Sequence, residues 1–388
     1  MTATDLVRPE DLAIDHELAD TASSIGFLLA VTPDNLIESR RRFLEDGTPP
    51  TFTYSSLEDP AVLEARLAAI ATDTVDDPAL AHLFTAKRRE IELQLQMLRV
   101  RGSDEFFGLS LQLYGSVTPA LVGDAESLLD RVPRPPRERG PRLDAEAFAR
   151  RVEAELDHYR SHHIGLDVVV EIRDDSSGVM VSNGNVLIAP TVAVPEGRVD
   201  GLLQHEVGTH VVTHVNGVNQ PLRLLGAGLA DYDETQEGLA VFAECLAGGL
   251  TARRLRQLAA RVIAVHQMID GETFSAVHAA LADCGVARAE AFTITARVFR
   301  SGGLTKDAVY LRGLRNVITH VGSGGSLDGL WLGKMALTDL PHIEDLRDRG
   351  VLHDPLLRPR YLDDPAPQRR LAGITSSTTP IDLIVRPS

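Results

Sequence analysis

The sequence predicts an α+β fold that is mostly helical, on three observations. Apolar residues recur with a period near 3.6 along most of the chain, as on one face of a helix. One stretch, residues 166–189, changes to period two with β-branched side chains, the mark of strands. Near mid-chain an apolar helical segment, Gln204-His205-Glu206-Val207-Gly208-Thr209-His210, carries two histidines and a glutamate, and Gln236-Glu237-Gly238-Leu239-Ala240 opens the helix after it.

Residues 11–131 read as helical. Leu18, Ala22, Ile25, Leu28 and Leu29 share a face; Pro33 suits a first turn with Thr32 as cap; residues 57–71 continue the period. Asp77 before Pro78 starts a long helix whose Lys87, Arg88 and Arg89 read as a solvated face. Segments 104–114 and 119–132 complete an N-terminal helical region, 1–132. Residues 133–143, rich in proline and arginine, read as an exposed linker. Asp144 then caps a helix to about 162. Residues 166–172 read as a strand, and a hairpin turns at Asn183-Gly184. Its second strand, 185–189, stops at Pro190 and reads as an edge; beginning at Asn185, it is the candidate for holding a substrate backbone by strand addition. The histidine helix is expected over 198–215, ended by Asn216-Gly217. Asp233 is expected to cap the next helix with Gln236 completing a capping box. Three amphipathic helices follow, over 251–269, 271–283 and 287–300. Thr305 is expected to cap a helix over 307–318, and Trp331 and Met335 to be core. The main body is taken as 144–360, with a peripheral tail over 361–388.

Composition bounds the function. The chain has 388 residues, 44% of them hydrophobic, enough for a full core. A formal net charge of −16 argues against nucleic acid or an anionic membrane as partner. Two cysteines, Cys245 and Cys284, make neither a Cys-x-x-Cys knuckle nor a disulfide framework. The start of the chain lacks the basic and apolar regions of a secretory signal, and no apolar run is long enough to cross a bilayer. A reducing, cytoplasmic compartment is expected.

Two imidazoles, one carboxylate and a spare carboxylate form the ligand and base set of a hydrolytic Zn2+ site. The spacing is unusual. At about 100° per residue, histidines five apart on a regular α-helix diverge by about 140° and cannot share an ion. One wide π-type turn restores a common face, so a π-bulge is expected between His205 and His210, with Gly208 easing the distortion. His210 and His214, four apart, fit a regular helix and remain a rival pair. Glu206 favours the first pair, because a carboxylate directly after His205 can act as general base, and Val211 after His210 cannot. Glu237 lies in the first turn of the next helix. Glu244, seven residues on, could orient a ligand histidine from behind. Tyr310 could donate to a developing oxyanion. Arg223, Arg297, Arg300, Lys306 and Arg312 are the cations from which a carboxylate clamp could come.

The pair His205-Glu206-x-x-x-His210 and Gln236-Glu237-Gly238-Leu239-Ala240 resembles the bacterial "flavohemoglobin expression-modulating QEGLA motif" proteins, whose eukaryotic relatives are the microtubule-associated tyrosine carboxypeptidases. The resemblance runs over about 109–320 and includes Leu113-Tyr114-Gly115 and Lys306-Asp307-x-x-Tyr310-Leu311. It implies a gluzincin-like zinc metallopeptidase fold with a helical addition, His205, His210 and Glu237 on zinc, and Glu206 as base. His214 lies outside the motif. The eukaryotic relatives remove a C-terminal tyrosine from tubulin, and that substrate does not carry over. The expected activity is hydrolysis at a peptide or protein C-terminus. A zinc-stabilised binding protein without turnover, and a zinc amidase acting on a small molecule, are the alternatives.

Overall fold

The computed structural model describes residues 6–56, 59–134, 140–163, 165–174 and 178–384. The N-terminal region is helical: α1 (Pro9–Ile25), α2 (Phe27–Ala30), α3 (Leu36–Asp46), α4 (Ala61–Ala68), α5 (Pro78–Arg99), α6 (Glu105–Tyr114) and α7 (Pro119–Arg131). The Asp77 cap is present, its carboxylate accepting from the Ala79 and Leu80 amides. Thr32 caps nothing. Its hydroxyl donates to the Leu28 carbonyl, and α3 begins only at Leu36. Lys87 is not on a solvated face either: it is 3% exposed and ion-paired to Glu90, because α5 is covered on that side too.

Of the expected linker, residues 135–139 lie outside the described residues; its ends are engaged, Arg134 on the Asp283 carbonyl and Arg142 in a strand. That strand, β1 (Arg142–Asp144), pairs antiparallel with β5 (Ala193–Pro195), and α8 (Ala145–His162) follows, capped by Asp144 as expected. β2 (Val170–Ile172), β3 (Val179–Ser182) and β4 (Asn185–Ile188) form one sheet in the order β2-β4-β3. Asn183 and Gly184 turn the β3–β4 hairpin with φ of 48° and 82°, the left-handed pair that a two-residue turn requires. β4 is therefore central, paired parallel to β2 and antiparallel to β3. The expectation of an edge at 185–189 fails because β2 crosses over to cover it.

The histidine helix is α9 (Val199–His205), a π turn (Glu206–Val211) and α10 (Val212–Val218) in one run. It does not stop at Asn216-Gly217. The Asn216 side chain is buried and bonded to the backbone of Trp331 and Leu357. A Cβ on Gly217 would lie 2.2 Å from the Leu225 carbonyl oxygen, so glycine serves close approach there and ends no helix. After α11 (Leu224–Ala227) comes α12 (Tyr232–Leu246), whose N-cap is Asp231 in the left-handed region; Asp233 lies inside the helix and caps nothing. Then come α13 (Ala252–Ile269), α14 (Phe274–Asp283) and α15 (Arg288–Phe299). A 3₁₀ turn at Thr305–Ala308 leads into α16 (Val309–Gly322), with Thr305 bonded to Ser110 and capping no helix. α17 (Leu340–Asp348) and α18 (Pro365–Ala372) close the chain.

α12 and α16 meet at two glycines. A Cβ on Gly238 would stand 2.1 Å from the Gly313 carbonyl carbon, and one on Gly313 would stand 1.9 Å from the Glu234 carbonyl oxygen. This contact sets Glu237 and Tyr310 side by side. One buried apolar cluster runs through Leu18, Phe84, Phe148, Val207, Phe242 and Trp331, drawing on the N-terminal helices and the histidine helix alike. The tail is not peripheral: Tyr361, Leu362 and Leu383 are buried in the same cluster. No helix of the described residues is long and apolar enough to cross a membrane.

Candidate metal centre

The π turn does what the five-residue spacing requires. The Thr209 hydroxyl reaches back to the Gln204 carbonyl, five residues earlier, at 3.0 Å. Gly208 contributes room: a Cβ there would lie 2.3 Å from the Gln204 amide oxygen and 3.2 Å from the Tyr361 ring. The imidazoles of His205 and His210 end 5.1 Å apart, ring centre to ring centre, and nearly perpendicular. Glu237 faces both, its Oε2 3.7 Å from His205 Nε2 and 3.9 Å from His210 Nε2. The three donor atoms lie within 4.8 Å of one another. A tetrahedral zinc with bonds of about 2.0–2.1 Å spaces its ligands by roughly 3.4 Å, so small side-chain movements suffice to close around the ion. Two neutral donors and one anionic donor suit that metal, so the residues fit it. His214 is outside this group.

The surroundings orient the donors. His205 Nδ1 lies 2.9 Å from Glu244 Oε1, which leaves Nε2 as the donor towards Glu237. Glu244 is fully buried and held by Arg198 and Arg254. Burial works against its charge, but Arg254, the His205 bond and Arg198 outweigh burial and hold its carboxyl well below the usual range. Gln236, which sequence reading used only as a capping residue, faces the His210 ring and accepts from the Thr213 hydroxyl at 2.8 Å. Glu206 is 5% exposed, and burial, reinforced by Glu237 and opposed by His205, pushes its carboxyl up to about 7. The Tyr310 side chain faces Glu237 closely enough to help hold that carboxyl in its charged form.

Residues 41–378 match the family model of the microtubule-associated tyrosine carboxypeptidases. The chain belongs to that family. Membership in a tyrosine carboxypeptidase family supports a peptidase. No curated protein matches the chain in sequence. A solved structure described as a lipoprotein from Colwellia psychrerythraea is similar at 12% identity and a TM-score of 0.46, over 81% of this chain and 66% of that one.

A carboxypeptidase needs a cation for the terminal carboxylate, and most of those expected from sequence are committed elsewhere. Arg223 is half exposed and lies 3.9 Å from Asp20 of α1. Arg312 is tied to Glu234 and to the Tyr114 and Ser116 carbonyls, beside a cavity of about 910 Å³ that holds none of the three donors. Arg297 grips Asp307 through two nitrogens at 2.7 Å. Arg300 is turned to the Thr32 hydroxyl, and burial beside Arg297 lowers its pKa to about 10. Lys306 is paired to Asp233 at 2.8 Å. Asn185 holds the sheet together, its side-chain oxygen accepting from the Val169 amide. The His214 ring packs on Gly184 of the hairpin turn and supports no donor, and burial next to Lys334 lowers its pKa to about 4.

Sequence reading missed Arg261. It lies on α13 with its guanidinium carbon 4.5 Å from the centre of the Tyr310 ring. Its side chain is 12% exposed, and its Nε stands 3.8 Å from Asp307, beyond hydrogen-bond reach. Nε and Nη1 are buried without a hydrogen-bond partner among the described residues. Nothing local marks it: it is one arginine among four on an amphipathic helix, and only tertiary packing separates it from the rest.

Proposed function

We propose that the chain is a zinc-dependent peptidase of carboxypeptidase type, acting on a peptide or protein C-terminus. The observation that carries the reading is the π turn that brings His205 and His210 onto one side against Glu237. These three residues would hold Zn2+. When bound, zinc supplies a Lewis acid that polarises a carbonyl and acidifies water. Glu206 takes a proton from the attacking water and later returns it to the leaving amine, a task suited to a carboxyl poised near neutrality. Tyr310 donates to the oxygen on which negative charge develops. Glu244 keeps the His205 ring in one tautomer and orientation. β3, one of the two outer strands of its sheet and a neighbour of the π turn, takes over the substrate-backbone role expected of 185–189.

The microtubule in the family's name is not carried over to this chain. A cytoplasmic setting agrees with Cys245 and Cys284, both free. The test is hydrolysis of peptides ending in tyrosine or phenylalanine by zinc-loaded protein. In Glu206→Gln the rate falls by about 10²–10⁴-fold while bound zinc stays stoichiometric. Failure to cleave any member of a broad peptide library, with zinc bound, would overturn the reading.

A further inference from the structure

Four of the arginine and lysine side chains expected near the site are spent on local partners, and a fifth, Arg223, lies against α1. Arg261 lies beside Tyr310 with Nε and Nη1 unpartnered among the described residues. It is enclosed by protein, sits over the Tyr310 ring, and shares Asp307 at a distance with an Arg297 that already holds both carboxylate oxygens. The ring and the distant carboxylate are neighbours of this guanidinium, and neither gives its Nε or Nη1 a hydrogen-bond acceptor. Its planar fork matches a carboxylate in two parallel hydrogen bonds. Tyr310 spans the gap between this cation and Glu237, so Arg261 stands one aromatic ring from the donor trio. A chain advances about 3.5 Å per residue, so a cation at that remove meets the carboxylate of the residue just beyond the bond being cut.

We propose that Arg261 receives the free α-carboxylate of the substrate's last residue and so makes the enzyme an exopeptidase that removes one residue at a time. This rests on the carboxypeptidase reading above. Asp307 and Arg297 act as positioning residues: their paired fork fixes the wall against which Arg261 lies. Lys334, a cation whose field reaches His210, has no part in recognising the carboxylate.

The experiment compares N-acetylated tripeptides ending in tyrosine with the same peptides amidated at the C-terminus. Two readouts are used: hydrolysis by zinc-loaded protein, and calorimetric binding to metal-free protein. Wild type is expected to prefer the free acid by at least 100-fold in kcat/KM and to bind it, and not the amide, without metal. In Arg261→Gln that preference falls below about fivefold through KM, Arg261→Lys keeps part of it, and Lys334→Gln keeps all of it. Because Arg261 Nε and Nη1 lack a hydrogen-bond partner among the described residues, Arg261→Gln is expected to melt close to wild type. A purely structural arginine would lower Tm. Retained preference in Arg261→Gln, or its loss in Lys334→Gln, overturns the assignment while leaving the peptidase reading intact. Absence of all hydrolysis overturns the peptidase reading, and calorimetry then still decides whether Arg261 binds the carboxylate.

Discussion

Glu244 shows how much of the proposed metal centre rests on residues outside the donor set. Its carboxylate is fully buried, shares Oε1 between the His205 ring and Arg254, gives Oε2 to Arg198, and stays charged because those three outweigh its burial. Neutralising it in Glu244→Gln frees the His205 ring and leaves Arg198 and Arg254 without their shared anion. Zinc affinity is expected to fall about 10–100-fold, read by competition with a chromogenic chelator. An affinity equal to wild type would mean that His205 is oriented by something else. The seven-residue spacing from Glu237 made Glu244 a legible candidate. Gln236 and Arg261 were not legible, since their roles depend on what another helix brings opposite them.

At the scale of elements, two devices place the donors. The π turn corrects the facing of the two histidines within one helix. The Gly238–Gly313 crossing lets α12 and α16 approach until backbone touches backbone, which delivers Glu237 and Tyr310 together. Gly238→Ala puts a methyl group 2.1 Å from a carbonyl carbon that cannot swing aside. A loss of roughly 1–3 kcal/mol or more is expected, together with sub-stoichiometric zinc as Glu237 is pushed from the trio. Wild-type Tm and full zinc content in that variant would show that the helices have slack the structure does not reveal. The π turn was predictable, because helix geometry leaves no other way for histidines five apart to share an ion. The edge strand was not, because strand order depends on where β2 returns.

For the molecule as a whole, the N-terminal helices and the tail belong to the same core as the site. Asp15 of α1 is one joint: fully buried, it accepts the backbone amides of Arg223 and Leu224 at the start of α11, just after the histidine helix. Burial pushes its carboxyl up to about 7, although those two amides oppose the shift. A folded pKa above the unfolded value of about 3.9 means that the folded state favours the protonated acid. The stabilising contribution is complete below about pH 4 and is lost as pH rises through about 7. Thermal melts from pH 4 to 8 should therefore show wild type losing more Tm towards pH 8 than Asp15→Asn does, by a few degrees. Parallel profiles for the two proteins would remove Asp15 from the balance.

The order of helices, the caps at Asp77 and Asp144, the Asn183-Gly184 turn and the wide turn between His205 and His210 were determined by the sequence alone. Each depends on dihedral preferences and spacings within a few residues, which a linear reading contains. The tertiary structure alone decided which arginine lacks hydrogen-bond acceptors, which strands lie at the sheet edges and whether the tail is bound. Those depend on contacts between segments tens to hundreds of residues apart, where many arginines of equal local character compete for few carboxylates and packing selects among them.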